Sequence, residues 1–376
     1  MKFLKVVEEG LKGINQGIPA GLPSFDKAVY NTQHKKIIGV VGSPKSGKTA
    51  MMLQRYIVSP FLAGANIKWV WYSLEMSKEQ IIARLTSMFG NIHSKKEYKE
   101  GKSTVIYRIS EAKILGMGEE RLSPDEFEFV KRIVSIYIDP LMGTEDSEGN
   151  VITPGRIEFI EDRTVSNPTG IHKYLMKIAK DNGTFLYEKY TTTEGDKQRL
   201  KGYIPSNDTK IWVIIDHLGL MKKEKGFTKK DNIDKMVDDY AVGLRNLCGF
   251  TFILLSQLNR GIKALDRIKF SGEELQPSTE DIKDSGSLEE SGDIIFAIFN
   301  PSTYKHLKTH LGYDLNVFQG SYRSIHCIAS RYTPSPLNKS LWFDKKTGIF
   351  SELYKTSDPR FKAELESIKL KVKEDQ

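Results

Sequence analysis

The sequence predicts an α/β fold in which an open, largely parallel sheet is covered by helices on both faces. Runs such as Ile211–Ile215 and Ile294–Phe299 are apolar without alternation, the pattern of strands buried on both sides. Amphipathic stretches at helical spacing separate them, and alternating strands and helices are characteristic of parallel sheets. The first run, Ile37–Val41, leads into GSPKSGKT at 42–49, where a buried strand turns sharply through glycines into a helix.

That turn points to phosphate. Its glycines permit tight turning and close backbone approach, and the first amides of the following helix face whatever sits in the turn. Gly42, Ser43, Pro44, Lys45, Ser46, Gly47, Lys48 and Thr49 form the expected nucleotide cradle. Within it, Lys48 reaches the β and γ phosphates and Thr49 offers its hydroxyl to Mg²⁺. An ordinary glycine-rich loop is the competing reading.

With 376 residues the chain has room for one large domain or two small ones, and 39% hydrophobic with 28% charged residues is a globular composition. A formal net charge of +8 favours polyanionic partners, or a basic surface kept for solubility. Cys248 and Cys327 lie in apolar surroundings at no metal-ligand spacing, which predicts free thiols. The start, MKFLKVVEEG, lacks the apolar core of a leader and no run of 18 apolar residues occurs, so a cytoplasmic location without a membrane partner is expected.

In chain order, Phe3, Leu4, Val7, Leu11 and Ile14 share a face of an amphipathic helix within residues 1–16, which covers its own domain or a neighbouring subunit. GIPAGLPSFD at 17–26 supplies turns and a short helix before the first strand. After the cradle a helix continues over Ala50–Val58, and Ile67–Leu74 is a buried strand. Ser77 and Gln80 then cap the helix SKEQIIARLTSMF. Residues 90–135 read as charged and irregular apart from a helix over Pro124–Val134. The polar break DPLMGTEDSEGNVITPG precedes a strand at Ile157–Ile160 and a helix around His172–Lys180, and 188–210 reads as an exposed loop insertion. After Ile211–Ile215, the basic loop KKEKGFTKKDN leads into a helix at Ile233–Cys248 and a strand at Phe250–Leu255. IIFAIF, SIHCIAS and KSLWFD supply the last strands of a domain spanning 17–350, and the charged end, 351–376, forms a helix or a loose tail.

Ligands of such sheets bind beyond the carboxyl ends of the strands, where Glu75, Asp216 and Gln257 recur. Hydrolysing a terminal phosphate needs positive charge and a metal against the developing negative charge, and a carboxylate to activate water. Lys48 and Thr49 meet the first need. Asp216 holds the metal or caps a turn; Glu75 is a general base, or else a cap or salt-bridge partner. Gln257 senses the γ phosphate or bonds its own loop. The loop after it, with Lys263, Arg267 and Lys269, and the cluster Lys222, Lys223, Lys225, Lys229 and Lys230, meet nucleic-acid phosphates or face water.

Taken together, GIPAGLPSFD, GSPKSGKT, SLEMS at 73–77, IIDHLGLM at 214–221, LLSQLNR at 254–260 and DIKDSGSLEESGDIIF at 281–296 resemble one family. It is the C-terminal RecA-like ATPase domain of DnaB-family replicative helicases, particularly versions carried by bacteriophages. The resemblance implies a RecA-like P-loop NTPase that uses ATP and Mg²⁺, translocates 5′ to 3′ on single-stranded DNA and unwinds forked DNA. By resemblance Glu75 polarises the attacking water, Asp216 is the Mg²⁺-associated aspartate and Gln257 couples nucleotide to DNA. His217 replaces the family's common aromatic, with little effect expected. Gly261–Glu280 resembles the channel loop, which assigns DNA contact to Lys263, Arg267 and Lys269, while 222–232, with Lys229 and Lys230, resembles a second inward-facing loop. A homohexameric ring with ATP at subunit boundaries is implied. Arg331 is the candidate finger for a neighbour's site, with Lys339 the alternative because Ser330 stands where the family pattern has a lysine. The N-terminal helix matches the family's linker helix without a collar domain before it. Primase, a helicase loader or a separate collar protein are the implied partners, in the host bacterial cytoplasm. A RecA-like recombinase filament and a non-unwinding replication ATPase are the rival readings.

Overall fold

The apolar runs assemble into a single nine-stranded sheet. The computed structural model describes residues 2–374 apart from 149, 162–164, 193–194, 260–261, 263–270, 272–273, 284–285 and 305–306. The strands are β1 (Ile37–Gly42), β2 (Ile67–Ser73), β3 (Ile157–Ile160), β4 (Lys210–Asp216), β5 (Thr251–Gln257), β6 (Ile294–Phe299), β7 (Tyr322–Ser330), β8 (Leu337–Asp344) and β9 (Ile349–Glu352). Their order is β9-β8-β7-β6-β1-β5-β4-β2-β3. From β6 to β3 all neighbours are parallel, whereas β7, β8 and β9 return antiparallel along one edge. The α/β expectation holds.

Successive residues of a strand point to opposite faces, and the sheet uses this to build two cores. Val70, Tyr72, Val213 and Ile215 pack under the Pro168–Asp181 helix and the helical stretch 229–248. Trp69, Trp71, Trp212 and Ile214 pack under the helices that follow β1 and β2. Apolar residues on both faces are why these runs show no alternation.

GIPAGLPSFD proves to be an anchor. The buried Asp26 carboxylate accepts from the backbone of Ala20 at 2.8 Å and Leu22 at 2.9 Å, and from Arg55 Nη1 at 2.7 Å. Arg55 is buried too, over the rings of Phe25 and Phe296. Next to it, Gln54 exchanges side-chain hydrogen bonds with both backbone groups of Phe350. The helix after the cradle is thereby tied to the chain before β1 and to the far edge of the sheet.

Several elements depart from the sequence expectation. The Ser77–Gln80 cap forms, but its helix runs on to Lys99. Polar Asn91 and Ser94 interrupt the apolar pattern, Asn91 Nδ2 donating to the Tyr107 carbonyl and Ser94 Oγ accepting from the Tyr107 N–H. Residues 188–210 are mostly not a loop, because Gly183–Thr192 and Gly195–Pro205 form a two-stranded ribbon. Its largely exposed faces gave no apolar alternation to read. The polar break contains the small hairpin Gly143–Glu145 with Val151–Pro154. Lys229 and Lys230 open a helix instead of ending a loop, because Thr228 and Asp231 cap each other's backbone at 2.7 and 3.2 Å. At the end of the chain, the Phe361–Glu374 helix buries Ile368 and Val372. The Lys2–Leu11 helix leaves Phe3 71% and Leu11 85% exposed. Cys248 and Cys327 are free thiols, and among the described residues no helix is long and apolar enough to cross a membrane.

Candidate nucleotide-binding site

Parallel pairing of β1, β5, β4 and β2 brings their carboxyl ends to one rim. Gly42, Gln257, Asp216 and the residues after Ser73 stand there side by side, beneath a cleft of about 780 Å³ lined by Lys45, Lys48, Thr49, Glu75 and Gln257. The cradle turns through left-handed backbone at Lys45 and Gly47, with φ of 63° and 93°. A Cβ on Gly47 would lie 2.9 Å from Phe350 Cζ, so only glycine fits over the stacked Phe343 and Phe350 rings. The Lys48–Leu53 helix begins directly after it, so its first amides face the turn.

Lys48 is buried, with Nζ donating to the Ser256 carbonyl at 3.2 Å. Burial lowers its pKa, while Asp216 and Glu75 pull the other way. Thr49 Oγ1 donates to Asp216 Oδ2 at 3.2 Å, and the second oxygen of that buried carboxylate has no hydrogen-bond partner among the described residues. Burial pushes the Asp216 pKa up to about 6, with Lys48 opposing and Glu75 adding to the rise. A buried carboxylate oxygen without a donor, beside a hydroxyl, is a hard-oxygen pair suited to Mg²⁺. The residues present fit that ion. Glu75 stands exposed at the lip of the cleft.

Gln257 does more than bond its own loop. Its side-chain Nε2 lies 3.2 Å from His217 Nε2, and His217 Nδ1 accepts from the Gly219 backbone N–H at 3.2 Å. Burial, then Lys48, Lys229 and Lys283, push the His217 pKa down to about 4, so the ring is neutral at physiological pH. His217, expected to have little effect, is placed in contact with the glutamine at the rim. Sequence reasoning also missed Arg323, whose buried guanidinium donates to the Ser46 carbonyl at 2.8 Å and to the carbonyls of Gly320 and Tyr322. No local spacing signals this residue, since only the antiparallel return of β7 brings it under the cradle.

The segment after β5 is stapled at its base. Leu258 bridges Ile282, Asn259 N donates to Asp281 O at 2.6 Å, and Lys283 N donates to Gln257 O at 2.9 Å. Lys263, Arg267 and Lys269 lie outside the described residues. Lys229 lies against Gly219 and acts on the His217 ring, while Lys230 is exposed. Arg331 is not brought to the cleft. Ser330 pairs with Ile294, the first residue of β6, so Arg331 sits on the opposite rim, its guanidinium donating to the Glu290 carbonyl. Lys339 lies within β8, its Nζ 3.9 Å from Glu352.

The family model of the DnaB-like helicase C terminal domain matches residues 17–116 and 190–331. The replicative DNA helicase DnaB of Rickettsia prowazekii is 22% identical over 383 residues, covering 94% of this chain and 64% of the relative. The replicative DNA helicase DnaC of Bacillus subtilis is 23% identical over 303 residues, covering 78% of this chain and 49% of the relative. The chain thus spans less than two thirds of the length of these relatives. A solved ATPase domain superposes with a TM-score of 0.62 at 17% identity, covering 94% of this chain and 98% of its own. A DnaB-like replicative helicase, solved in a study of its interactions with primase, gives 0.60 at 18% identity over 93% of this chain and 68% of its own. These likenesses match the fold to RecA-like P-loop NTPases, and the family match shows that the chain belongs to the DnaB-like helicase C-terminal domain family.

Proposed function

We propose that this chain is the ATPase motor of a replicative DNA helicase, which hydrolyses ATP with Mg²⁺ to translocate on single-stranded DNA and unwind a fork. The observation that carries the reading is the convergence of Lys48, Thr49, Asp216, Glu75 and Gln257 on one rim over the cradle. The cradle's backbone amides and Lys48 hold the phosphates, and Lys48 offsets charge developing on the terminal one. Thr49 and Asp216 would hold Mg²⁺, which when bound polarises phosphate oxygens. Glu75, exposed at the lip, orients the attacking water and accepts its proton.

Coupling to DNA runs through the base of the segment after β5. Gln257 carries the Lys283 backbone bond, so a shift of Gln257 on loss of the terminal phosphate moves the feet of that segment directly. Lys263, Arg267 and Lys269, with Lys229 and Lys230 from the neighbouring helix start, are assigned to the phosphates of the DNA strand. A second copy completes the site. Arg331 points away from its own cleft, and the Lys2–Leu11 helix has an uncovered apolar face, two features suited to neighbours in a homohexameric ring. Arg331 is favoured over Lys339 as the finger because Lys339 already has a carboxylate beside it. Likeness to a helicase studied with primase supports primase as a further partner.

Phosphate release by the purified chain tests this reading. ATP turnover stimulated by single-stranded DNA and lost in Lys48→Ala is the expected result; equal turnover with and without DNA would speak against it.

A further inference from the structure

The inference rests on the ATPase reading and concerns how the terminal phosphate is recognised. Directly after β4, His217 lies against Gln257, and the Gly219 backbone N–H points at its Nδ1. A backbone N–H can only donate, so Nδ1 is the bare nitrogen and Nε2 carries the ring proton. That N–H is directed at Gln257 Nε2 3.2 Å away, which sets two donors face to face where the ring requires an acceptor. Hydrogen-bond logic, which decides amide orientation, therefore exchanges the amide's nitrogen and oxygen and turns the Gln257 oxygen toward the ring. The amide NH₂ is left facing the cleft that Gln257 lines together with Lys48 and Thr49.

We propose that His217 is a positioning residue that fixes the Gln257 amide with its NH₂ toward the cleft, where it donates to a terminal phosphate oxygen. The orientation matters because phosphate oxygens only accept, and an amide turned the other way would present its carbonyl oxygen to them. His217 is itself held in place, being buried, bonded to Gly219 and packed where Lys229 lies against that glycine. The site therefore distinguishes a nucleoside triphosphate from a diphosphate through a histidine that never touches the nucleotide.

The test is a fluorescence titration comparing a nonhydrolysable ATP analogue with ADP. His217→Asn is the informative variant, because its side-chain oxygen still accepts from Gly219 while its side chain stops short of Gln257. Preference for the triphosphate falls roughly three- to tenfold in His217→Asn, the worth of about one hydrogen bond. It falls at least as far in Gln257→Ala, and the double variant is no worse than Gln257→Ala alone. His217→Gln, whose amide N–H reaches the former Nε2 position, keeps the preference, and ADP affinity is unchanged in both His217 variants. Unchanged preference in His217→Asn, or an undiminished loss when Gln257 is already alanine, overturns the assignment. A wild-type chain that binds neither nucleotide overturns the ATPase reading itself, and the assignment with it.

Discussion

Thr49 Oγ1 donates to one oxygen of Asp216 at 3.2 Å, while the other oxygen of that buried carboxylate has no hydrogen-bond partner among the described residues. Half the carboxylate is satisfied and half is left for a cation. Burial makes the ionised Asp216 carboxylate electrostatically costly, and the cost can be measured.

Asp216 titrates near 6 in the folded chain, above its ordinary 3.8, mainly through burial. A raised carboxylate pKa contributes stability that is fully present below the unfolded value and lost as pH rises through the folded one. At pH 7.5 the ionised group therefore costs the nucleotide-free protein about 3 kcal/mol. Asp216→Asn removes that cost. Its thermal midpoint should exceed the wild type's at pH 7.5, the difference should shrink toward pH 4, and its ATP turnover should be lost.

Glu75 and Lys48 separate in their effects. Glu75→Gln should retain ATP binding while turnover falls by roughly 10²- to 10⁴-fold, the range of a lost general base. Lys48→Ala should lose both, because its charge serves binding as well as the reaction. Steady-state phosphate release and nucleotide titration distinguish the two.

Asp26 is a stability residue far in role from the chemistry. Removing one partner of a buried, hydrogen-bonded ion pair strands the other, so Asp26→Ala should cost about 3–5 kcal/mol in denaturant unfolding. Replacing Asp26 and Arg55 together by apolar residues should cost less.

The strands were legible because burial on both faces leaves continuous apolar runs, and the rim residues Glu75, Asp216 and Gln257 followed from where those runs stop. GIPAGLPSFD was legible as a family motif but not as an anchor, since Arg55 lies 29 positions beyond Asp26 and pairs with it only in the fold. Arg323 and the His217–Gln257 contact were hidden for the same reason, because tertiary neighbours set them. The helix through Lys99 was missed because Asn91 and Ser94 look like surface residues until Tyr107 is seen bonding them. The ribbon at 183–205 was missed because a strand pair with both faces largely exposed has no core-facing period.

Arg331 should act only between copies. Arg331→Ala and Lys48→Ala chains are each expected to lose turnover. Mixed before assembly, they should regain part of it, because an intact cradle can then meet an intact finger. No recovery on mixing would place Arg331 outside the site.

The most direct test of the helicase assignment is electron microscopy of the purified chain with a nonhydrolysable ATP analogue and forked DNA. A closed or lock-washer ring of six subunits is expected, with Arg331 at a neighbour's phosphates and the 261–280 segment on one DNA strand. A continuous filament coating the DNA, or single subunits with nucleotide bound and Arg331 facing solvent, would contradict it.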